Sequence, residues 1–339
     1  MSATESNLLP RAKLKDVFGG RARFIGSRID AAQPRGFFSP VEARLRMGIP
    51  YEDLRVAEAD YLGRRSLKAD LGVMARTALA YALSPGSKKA AAPRPFIVSA
   101  YVDNLTIDQA LELVLAPPQT SRGKLVYFVH AHALNLARFN REYAGILAEA
   151  DALLPDGIGI RMAARALGVS MRHNVNGTDL FPILCREAAR LGIPVAMVGG
   201  APGIAAECAR RMQEANPTLQ VPIVVPGFFA SDAEAQAVAD KIAALGRVIV
   251  LVGMGSPRQE RWSWQFLRHT SGATVLTVGG LFDFYSGRIR RAPIAWREMG
   301  VEWLWRLLQE PRRLARRYLI GNPLFMLLAL EQKFFRRKA

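Results

Sequence analysis

The 339-residue sequence has only two cysteines, Cys185 and Cys208, and only four histidines. The two thiols lie in helix-like stretches without the spacing of a disulfide framework or a metal site, so we expect a reducing, cytoplasmic compartment. No N-terminal apolar run follows a positively charged start, which argues against a signal peptide. No stretch approaches 18 uninterrupted apolar residues, so we expect no membrane-spanning helix.

Two common nucleotide-binding signatures are also missing. No Gly-x-Gly-x-x-Gly follows the first predicted strand of the central region, which disfavours a nicotinamide cofactor. No Gly-x-x-x-x-Gly-Lys-Ser/Thr phosphate loop occurs either. We therefore expect no cofactor.

Acidic residues are scarce at both ends of the chain. Residues 1–95 hold 17 Lys/Arg against 9 Asp/Glu, residues 288–339 hold 13 against 4, and residues 96–287 hold 16 of each. Cationic flanks favour an anionic lipid surface, a phosphorylated ligand or nucleic acid as partner. A solvated basic surface is the alternative. Nucleic acid is the least favoured partner, because the neutral middle lacks any motif that reads bases.

Composition divides the chain into three parts. Residues 1–90 form a basic N-terminal extension, which we expect to be poorly ordered over residues 1–40 and partly helical beyond. Residues 91–287 alternate predicted strands with helices, as βαβ units do. Residues 288–339 form a basic amphipathic C-terminal appendage. The prediction is an α/β fold: a Rossmann-like parallel sheet with helices on both faces, plus the two flanking segments.

Chemically distinctive residues follow five of the predicted strands. Because ligands lie at the carboxyl ends of parallel strands, we expect these residues to line one cleft. They are His130 and His132, Asp156, Gly199 and Gly200, Gly253 and Gly255, and Gly279 through Asp283. The central stretch 248–260, an apolar strand, a glycine turn and a helix start, fits a phosphate-binding turn and a ligand-free turn equally well.

Asp156 is a candidate general base, because it follows a strand and precedes Gly157, which would admit a substrate. A turn-forming aspartate is the alternative. His130 and His132 are expected on one face of an extended segment, since side chains alternate there. Polar contacts with a substrate are favoured over a metal site, because no further histidine or carboxylate spacing completes a ligand set.

The C-terminal appendage interleaves arginine with aromatic and aliphatic residues, which suits a membrane interface. Its arginines recur at helical spacings, and the guanidinium fork binds phosphate in a bidentate manner. A diphosphate would then need no metal. A solvated helix face, or a helical pair packed on the sheet, is the alternative. The arginines are Arg306, Arg312, Arg313, Arg316 and Arg317.

Residues 128–317 resemble the WecG/TagA/CpsF family of bacterial glycosyltransferases. The matching stretches are residues 150–159, 176–180, 252–260, 279–283, 291–293 and 301–313. The resemblance implies that a UDP-sugar donates an N-acetylmannosamine-type or related sugar to an undecaprenyl-diphosphate-linked sugar, with inversion and without a metal. It further implies a peripheral protein at the inner face of the cell membrane, acting in exopolysaccharide or other cell-surface polysaccharide assembly.

The resemblance also implies roles for individual residues. Asp156 would deprotonate the acceptor hydroxyl, Asp283 would lie beside the uracil, and the C-terminal arginines would close on the diphosphate. The substrate-binding residues that we predict are His130, His132, Asn174, Thr178, Asp179, Gly199, Gly200, Gly253, Gly255, Gln259, Asp283, Arg306, Arg313 and Arg316.

Two departures from the family pattern leave the donor sugar open. His130-Ala131-His132 stands where many members have Thr-x-Asn, and Asn174 stands where many have arginine. A glucose- or uronate-type donor is as compatible as N-acetylmannosamine. The competing function is a non-catalytic UDP-binding scaffold of an assembly complex. Residues 61–77 resemble the tail of a polyprenyl-phosphate sugar transferase and suggest a docking segment, and we expect homo-oligomers through the α/β core.

Overall fold

The computed structural model describes residues 9–28, 33–47, 54–83, 92–119 and 121–336. The chain divides into two compact units. The N-terminal unit comprises residues 1–90 and 292–308, and the core unit comprises residues 91–291 and 309–339. The three-part division by composition stays a prediction.

Ten strands lie in the described residues. They are β1 (Arg23–Ile25), β2 (Gly36–Phe38), β3 (Phe96–Ile97), β4 (Ala100–Tyr101), β5 (Lys124–Val129), β6 (Ala152–Pro155), β7 (Val195–Gly199), β8 (Ile223–Val225), β9 (Val248–Gly253) and β10 (Ala273–Thr277).

Seventeen α-helices lie in the same ranges. They are α1 (Leu14–Phe18), α2 (Glu42–Met47), α3 (Leu54–Gly63), α4 (Leu67–Leu83), α5 (Ile107–Leu115), α6 (Ala131–Phe139), α7 (Arg141–Ala148), α8 (Ile158–Ala166), α9 (Gly177–Leu191), α10 (Ile204–Ala215), α11 (Asp232–Ala243), α12 (Arg258–Trp262), α13 (Leu281–Tyr285), α14 (Ile294–Glu298), α15 (Glu302–Gln309), α16 (Pro311–Ala315) and α17 (Gly321–Arg336). Two π-helical turns, Ser263–Leu267 and Arg316–Ile320, continue α12 and α16.

The N-terminal unit has more order than the sequence suggested. Residues 1–40 were expected to be poorly ordered, but their described part forms α1 and the parallel pair β1–β2. That prediction is wrong for the described part, while residues 1–8 and 29–32 lie outside the described residues. The Pro-, Ser- and Lys-containing stretch of residues 84–95 predicts a linker, and its residues 84–91 lie outside the described residues too.

The N-terminal unit is held together partly by buried charges, which leave no apolar period in the sequence. The carboxylate of Glu42 is fully buried and bonds with the guanidinium of Arg11 and the hydroxyl of Tyr81. A second guanidinium, that of Arg28, lies 3.0 Å away. Burial acts to raise the pKa of Glu42, but hydrogen bonds from Tyr81 and Arg11 and the charge of Arg28 lower it overall. Buried ion pairs therefore take the place of part of the apolar core in this unit.

The core unit contains a six-stranded sheet in the order β6-β5-β10-β9-β7-β8, and every neighbouring pair is parallel. Apolar clusters cover both faces. On β5, Tyr127 belongs to the cluster that holds residues of α6, α8 and α17, whereas Phe128 belongs to the cluster that holds residues of α5, α9 and α10. Side chains of a strand alternate between faces, so helices flank the sheet on both sides. The predicted Rossmann-like α/β fold is confirmed.

The last helix, α17, is an integral part of the core unit. Its Phe325 and Ala329 are fully buried in the same cluster as residues of α6 and α8. The side-chain amide of Asn135 donates to the carbonyl oxygen of Gly321 at 2.7 Å. The amide of Gln332 bonds with the backbone of residues 96 and 98. Among the described residues, no helix combines the length and apolar character that a membrane crossing requires.

Candidate active site at the carboxyl edge

The carboxyl ends of the six strands form one edge of the sheet, which we call the carboxyl edge. Its two halves differ in chemistry. The side-chain half follows β5 and β6 and comprises residues 130–132 and 156–157. The glycine half follows β7, β8, β9 and β10 and comprises residues 199–203, 226–229, 253–260 and 278–280.

Asp156 lies on a turn that two hydrogen bonds hold. Its own backbone N–H donates to the carbonyl oxygen of Val129 at 2.8 Å. The next N–H, that of Gly157, donates to Oδ1 of Asn174 at 2.9 Å. Gly157 has a φ of 89°, in the left-handed region that favours glycine. The half-buried Asp156 therefore has a fixed backbone, and the predicted Asn174 lies beside it.

The interpretation of His130 and His132 as one extended segment is wrong, because α6 begins at Ala131. Nδ1 of His130 accepts a hydrogen bond from the N–H of Ala133 at 3.0 Å and caps the helix. The cap satisfies one of the donors that every helix start leaves open. The two imidazoles still lie together, with ring centroids 6.0 Å apart and an interplanar angle of 25°.

His132 is held in its neutral form. Burial, together with the positive charge of Arg317, lowers the pKa of His132 to about 4. A neutral imidazole offers one N–H donor and one acceptor to a ligand. Arg317 lies in the π-helical turn after α16, so the C-terminal arginine segment reaches the side-chain half within the core unit.

Metal ligation finds no geometric support around these residues. In the part of the chain that the structure describes, no group of three or more His, Cys, Asp or Glu side chains is arranged to hold a metal ion.

The glycine half is closely packed. A Cβ on Gly199 would lie 2.4 Å from the carbonyl oxygen of Gly253, and one on Gly253 would lie 2.8 Å from that of Gly279. The N–H of Gly200 also donates to the Gly253 oxygen, at 3.0 Å. Close contacts between neighbouring backbone segments therefore explain why residues 199 and 253 are glycines. Gly255 differs, because its φ is 77° and an added Cβ would meet open space, so a ligand has room to approach there.

Gln259 ties the two central turns together. Its Oε1 accepts the N–H of Gly255 at 3.1 Å and that of Gly279 at 3.0 Å. Its Nε2 donates to Oε1 of Glu260 at 2.7 Å, and Ser256 Oγ donates to the same oxygen at 2.9 Å. Burial raises the pKa of the Glu260 carboxyl, although the hydrogen bonds from Gln259 and Ser256 oppose the rise. Only 2 % of Gln259 is exposed. Its amide therefore holds the two turns in place from the protein interior.

Thr178 and Asp179 lie in the first turn of α9, which begins at Gly177. Asn176 caps this helix by accepting the N–H of Asp179 at 2.7 Å. The buried Asp179 carboxylate accepts from the Asn176 side chain and pairs with Arg291. The carbonyl oxygen of Thr178 accepts the hydroxyl of Tyr285 at 2.7 Å. These contacts join the start of α9 to the chain after β10.

The remaining predicted residues are distributed over both units. Asp283, on α13, is buried, and Arg288 lies 3.1 Å from its carboxylate. Arg306 lies on α15 in the N-terminal unit, whereas Arg313 and Arg316 belong to the core unit. The arginines that the sequence placed in one appendage thus belong to two compact units.

Sequence reasoning missed Phe228 in the glycine half. It follows β8, and the N–H of the preceding Gly227 donates to the carbonyl oxygen of Gly200 at 3.0 Å. The available signal was the run Pro226-Gly227-Phe228-Phe229 directly after a strand. Arg317 was noted in sequence as one of five arginines, but its approach to His132 required the tertiary structure.

Most of the chain, including nearly all of the core unit, matches a known family. The model of the glycosyl transferase WecG/TagA/CpsF family matches residues 96–339, well over half of the chain. The match includes all six strands of the sheet, both halves of the carboxyl edge and α17. Residues 1–95 lie outside it.

Proposed function

The chain belongs to the WecG/TagA/CpsF family, which makes it a glycosyltransferase of cell-surface polysaccharide synthesis. From this premise we propose that it moves a sugar from a UDP-sugar to a polyprenyl-diphosphate-linked sugar, with inversion at the anomeric carbon. The observation that carries the proposal is the carboxyl edge, where Asp156, on a turn with a hydrogen-bonded backbone, and a row of glycine turns lie along the same edge of one sheet.

In the proposed reaction, the carboxylate of Asp156 takes the proton of the acceptor hydroxyl. The hydroxyl oxygen bonds to C1 of the donor sugar from the face opposite the diphosphate. The bond from C1 to the phosphate oxygen breaks, and its electron pair leaves with UDP. Asp156 then returns the proton to water. The fixed turn at Asp156 and Gly157 supports this role, because catalysis depends on placing the base within reach of the hydroxyl.

The donor diphosphate is proposed to lie on the glycine half. Gly255 leaves open space beside the backbone. The 12-residue helix α10 begins directly after the turn at residues 199–203, and its first cap, Gly203, adds no side chain. The N-terminus of a helix favours negative charge, which suits a diphosphate. Arg313 and Arg316, which belong to the same core unit as the glycine half, are proposed to neutralise the departing UDP in place of a metal.

The two imidazoles of the side-chain half are proposed to bind hydroxyl groups of a sugar. His132 at neutral pH offers hydrogen bonds without a charge, because its pKa is about 4. Asn174, also predicted to bind substrate, is proposed to act at the same place.

A peripheral position at the inner face of the cell membrane is part of the proposal. The segment from α16 through α17 exposes apolar side chains next to exposed arginines, a combination that suits an anionic lipid interface. The exposed apolar residues are Leu319, Ile320, Leu327, Leu330, Phe334 and Phe335. The exposed arginines are Arg312, Arg313 and Arg316.

The test is UDP release by the full chain over a panel of UDP-sugars, with a short-chain lipid-diphosphate-sugar acceptor and EDTA present. We expect release that requires one donor and the acceptor and that persists in EDTA. Silence across the panel, from folded protein that binds UDP, would favour the UDP-binding scaffold. Loss of release in EDTA, restored by a divalent cation, would contradict the metal-free route.

A further inference from the structure

The N-terminal unit exposes a group of large apolar side chains on α1 and the turn that follows it, residues 13–24, which we call the α1 surface. Phe18, at the end of α1, is 82 % exposed, more than any other large apolar residue in the described part of the chain. Leu14 is exposed too. Residues four apart lie on the same face of a helix, so these two side chains form one apolar projection. Phe24, on β1, is also exposed.

Backbone hydrogen bonds hold the α1 surface at both ends of the helix. Before α1, the N–H of Ala12 donates to the carbonyl oxygen of Gly36, the first residue of β2, at 3.1 Å. After α1, the N–H groups of Arg21 and Ala22 donate to the carbonyl oxygen of Asp16 at 2.8 and 3.0 Å. The apolar projection therefore stands on a backbone that the fold fixes.

The same surface is strongly cationic. Residues 9–28 hold six Lys/Arg and only one Asp/Glu. That acid, Asp16, is half-buried and pairs with Arg21 at 3.2 Å. The exposed cations are Lys13, Lys15, Arg21 and Arg23. A partner that complements this surface is therefore anionic and also offers an apolar environment to the projecting side chains.

Another exposed apolar face, on α4 of the same unit, lacks this charge. The exposed residues between positions 67 and 82 are Leu67, Lys68, Leu71, Ala75, Ala78, Leu79 and Ala82, and only Lys68 among them is charged. Apolar side chains without a cluster of cations are not drawn to an anionic surface. The comparison of these two faces therefore separates the effect of charge from that of apolar exposure.

We infer that the α1 surface binds an anionic lipid bilayer. Leu14 and Phe18 enter the boundary between headgroups and acyl chains, and the exposed lysines and arginines contact the headgroups. A strand of nucleic acid would offer phosphates and bases, but no apolar environment for an aliphatic side chain such as Leu14. Residues 1–95 lie outside the family match, so this surface is separate from the one proposed on α16 and α17. The inference does not depend on the proposed reaction.

The experiment is sedimentation of the full chain with vesicles of phosphatidylcholine mixed with phosphatidylglycerol, and with vesicles of phosphatidylcholine alone. Leu14→Ser combined with Phe18→Ser should weaken binding to the anionic vesicles by about ten-fold or more. The matched control is Leu67→Ser combined with Leu71→Ser, an exposed pair of the same spacing on α4. It should bind the vesicles as wild type does.

A second double variant tests the charge and leaves the apolar projection in place. Lys13→Gln combined with Lys15→Gln should weaken binding to the anionic vesicles by about ten-fold or more and make it less sensitive to salt. Binding to phosphatidylcholine alone should not change. The same losses are expected in a chain that also carries Phe334→Ser and Phe335→Ser, because those rings lie in the core unit.

Unchanged vesicle binding in the Leu14 and Phe18 double variant, with thermal unfolding equal to that of wild type, would overturn the inference and leave the proposed reaction standing. Equal weakening in the α4 control would also overturn it, because the effect would then be general. Loss of binding to a single-stranded oligonucleotide, with vesicle binding intact, would assign the surface to nucleic acid instead. Wild type that binds no anionic vesicles would overturn both this inference and the proposed membrane position, whereas UDP release tests the reaction separately.

Discussion

The two halves of the carboxyl edge use different parts of the chain. The side-chain half presents a carboxylate and two imidazoles, on turns fixed by hydrogen bonds from backbone N–H groups to the side chains of His130 and Asn174. The glycine half presents backbone, held by close packing and by the amide of Gln259. A side chain of the side-chain half can be substituted without a shift of the backbone. In the glycine half the backbone itself is closely packed, so a substitution there would disturb the packing at the edge of the sheet. Chemistry and donor binding should therefore be separable by substitution.

The largest expected effect comes from Asp156→Asn. Removing a general base costs about 10²–10⁴-fold in turnover, while UDP affinity should be unchanged because the glycine half is untouched. Steady-state rates and UDP titration measure the two quantities. Asp151→Asn is the matched control, since Asp151 precedes the same strand at the opposite edge and pairs with Arg122. Full turnover in Asp156→Asn would remove this residue from the chemistry.

Substitution of Gln259, whose amide joins the turns at Gly255 and Gly279, should weaken donor binding and leave turnover unchanged. Gln259→Leu leaves the N–H groups of the half-buried Gly255 and Gly279 without their acceptor, and an unpaired amide costs up to about 1–3 kcal/mol when it is fully buried. We expect lower stability in urea unfolding and a raised KM for the donor, with turnover retained at saturating donor. Gln236→Leu, on the exposed face of α11, should change neither. A donor KM equal to that of wild type in Gln259→Leu would contradict the assignment of donor binding to the glycine half.

The apolar surface of α17 should influence neither half. Phe334→Ser combined with Phe335→Ser removes two rings that are mainly exposed in the protein. Sedimentation with anionic vesicles should show binding weakened by about ten-fold or more, because partly buried apolar side chains contribute roughly 1 kcal/mol or more each. UDP affinity should stay the same.

Unchanged vesicle binding in that double variant would contradict the membrane surface. Deletion of the whole C-terminal segment would not be a clean alternative. Phe325 and Ala329 of α17 are fully buried, so the deletion would open the core unit.

The smallest expected effect concerns pH. His132 has a pKa of about 4 in the folded protein and about 6.5 when unfolded, so between these values the unfolded chain binds the extra proton. Stability from this site therefore falls as pH drops from about 6.5 to about 4. Thermal unfolding of His132→Asn should be less sensitive to that pH change than wild type. An identical pH dependence would show that His132 is not held neutral.

Features of the fold that depend on interactions between residues close in sequence, such as helix starts and the order of strands and helices, were predictable from local sequence patterns. A threonine followed three residues later by glutamine is a local signature of a helix start, and Thr106 caps α5 with a full capping box. The alternation of strands and helices gave the parallel sheet, because buried strands and amphipathic helices each leave a short-range signature. The position of Asp156 at a strand end followed from the same reasoning.

Contacts across the fold were not predictable in this way. Asn174 reaches the N–H of Gly157 and Gln259 reaches that of Gly279, each through a turn whose shape depends on packing. The cap by His130 was missed because histidine is not among the preferred capping residues. The order of the N-terminal unit was missed because buried ion pairs leave no apolar period.

The claim that the glycine half, and not the side-chain half, binds the donor nucleotide is tested most directly by amide hydrogen exchange of the full chain with and without UDP. We expect slower exchange in residues 199–203, 226–229 and 253–259 when UDP binds. Residues 130–133 and 156–159 should exchange at unchanged rates. Protection confined to the segments around His130 and Asp156, with the glycine turns unaffected, would contradict the claim that the glycine half binds the donor.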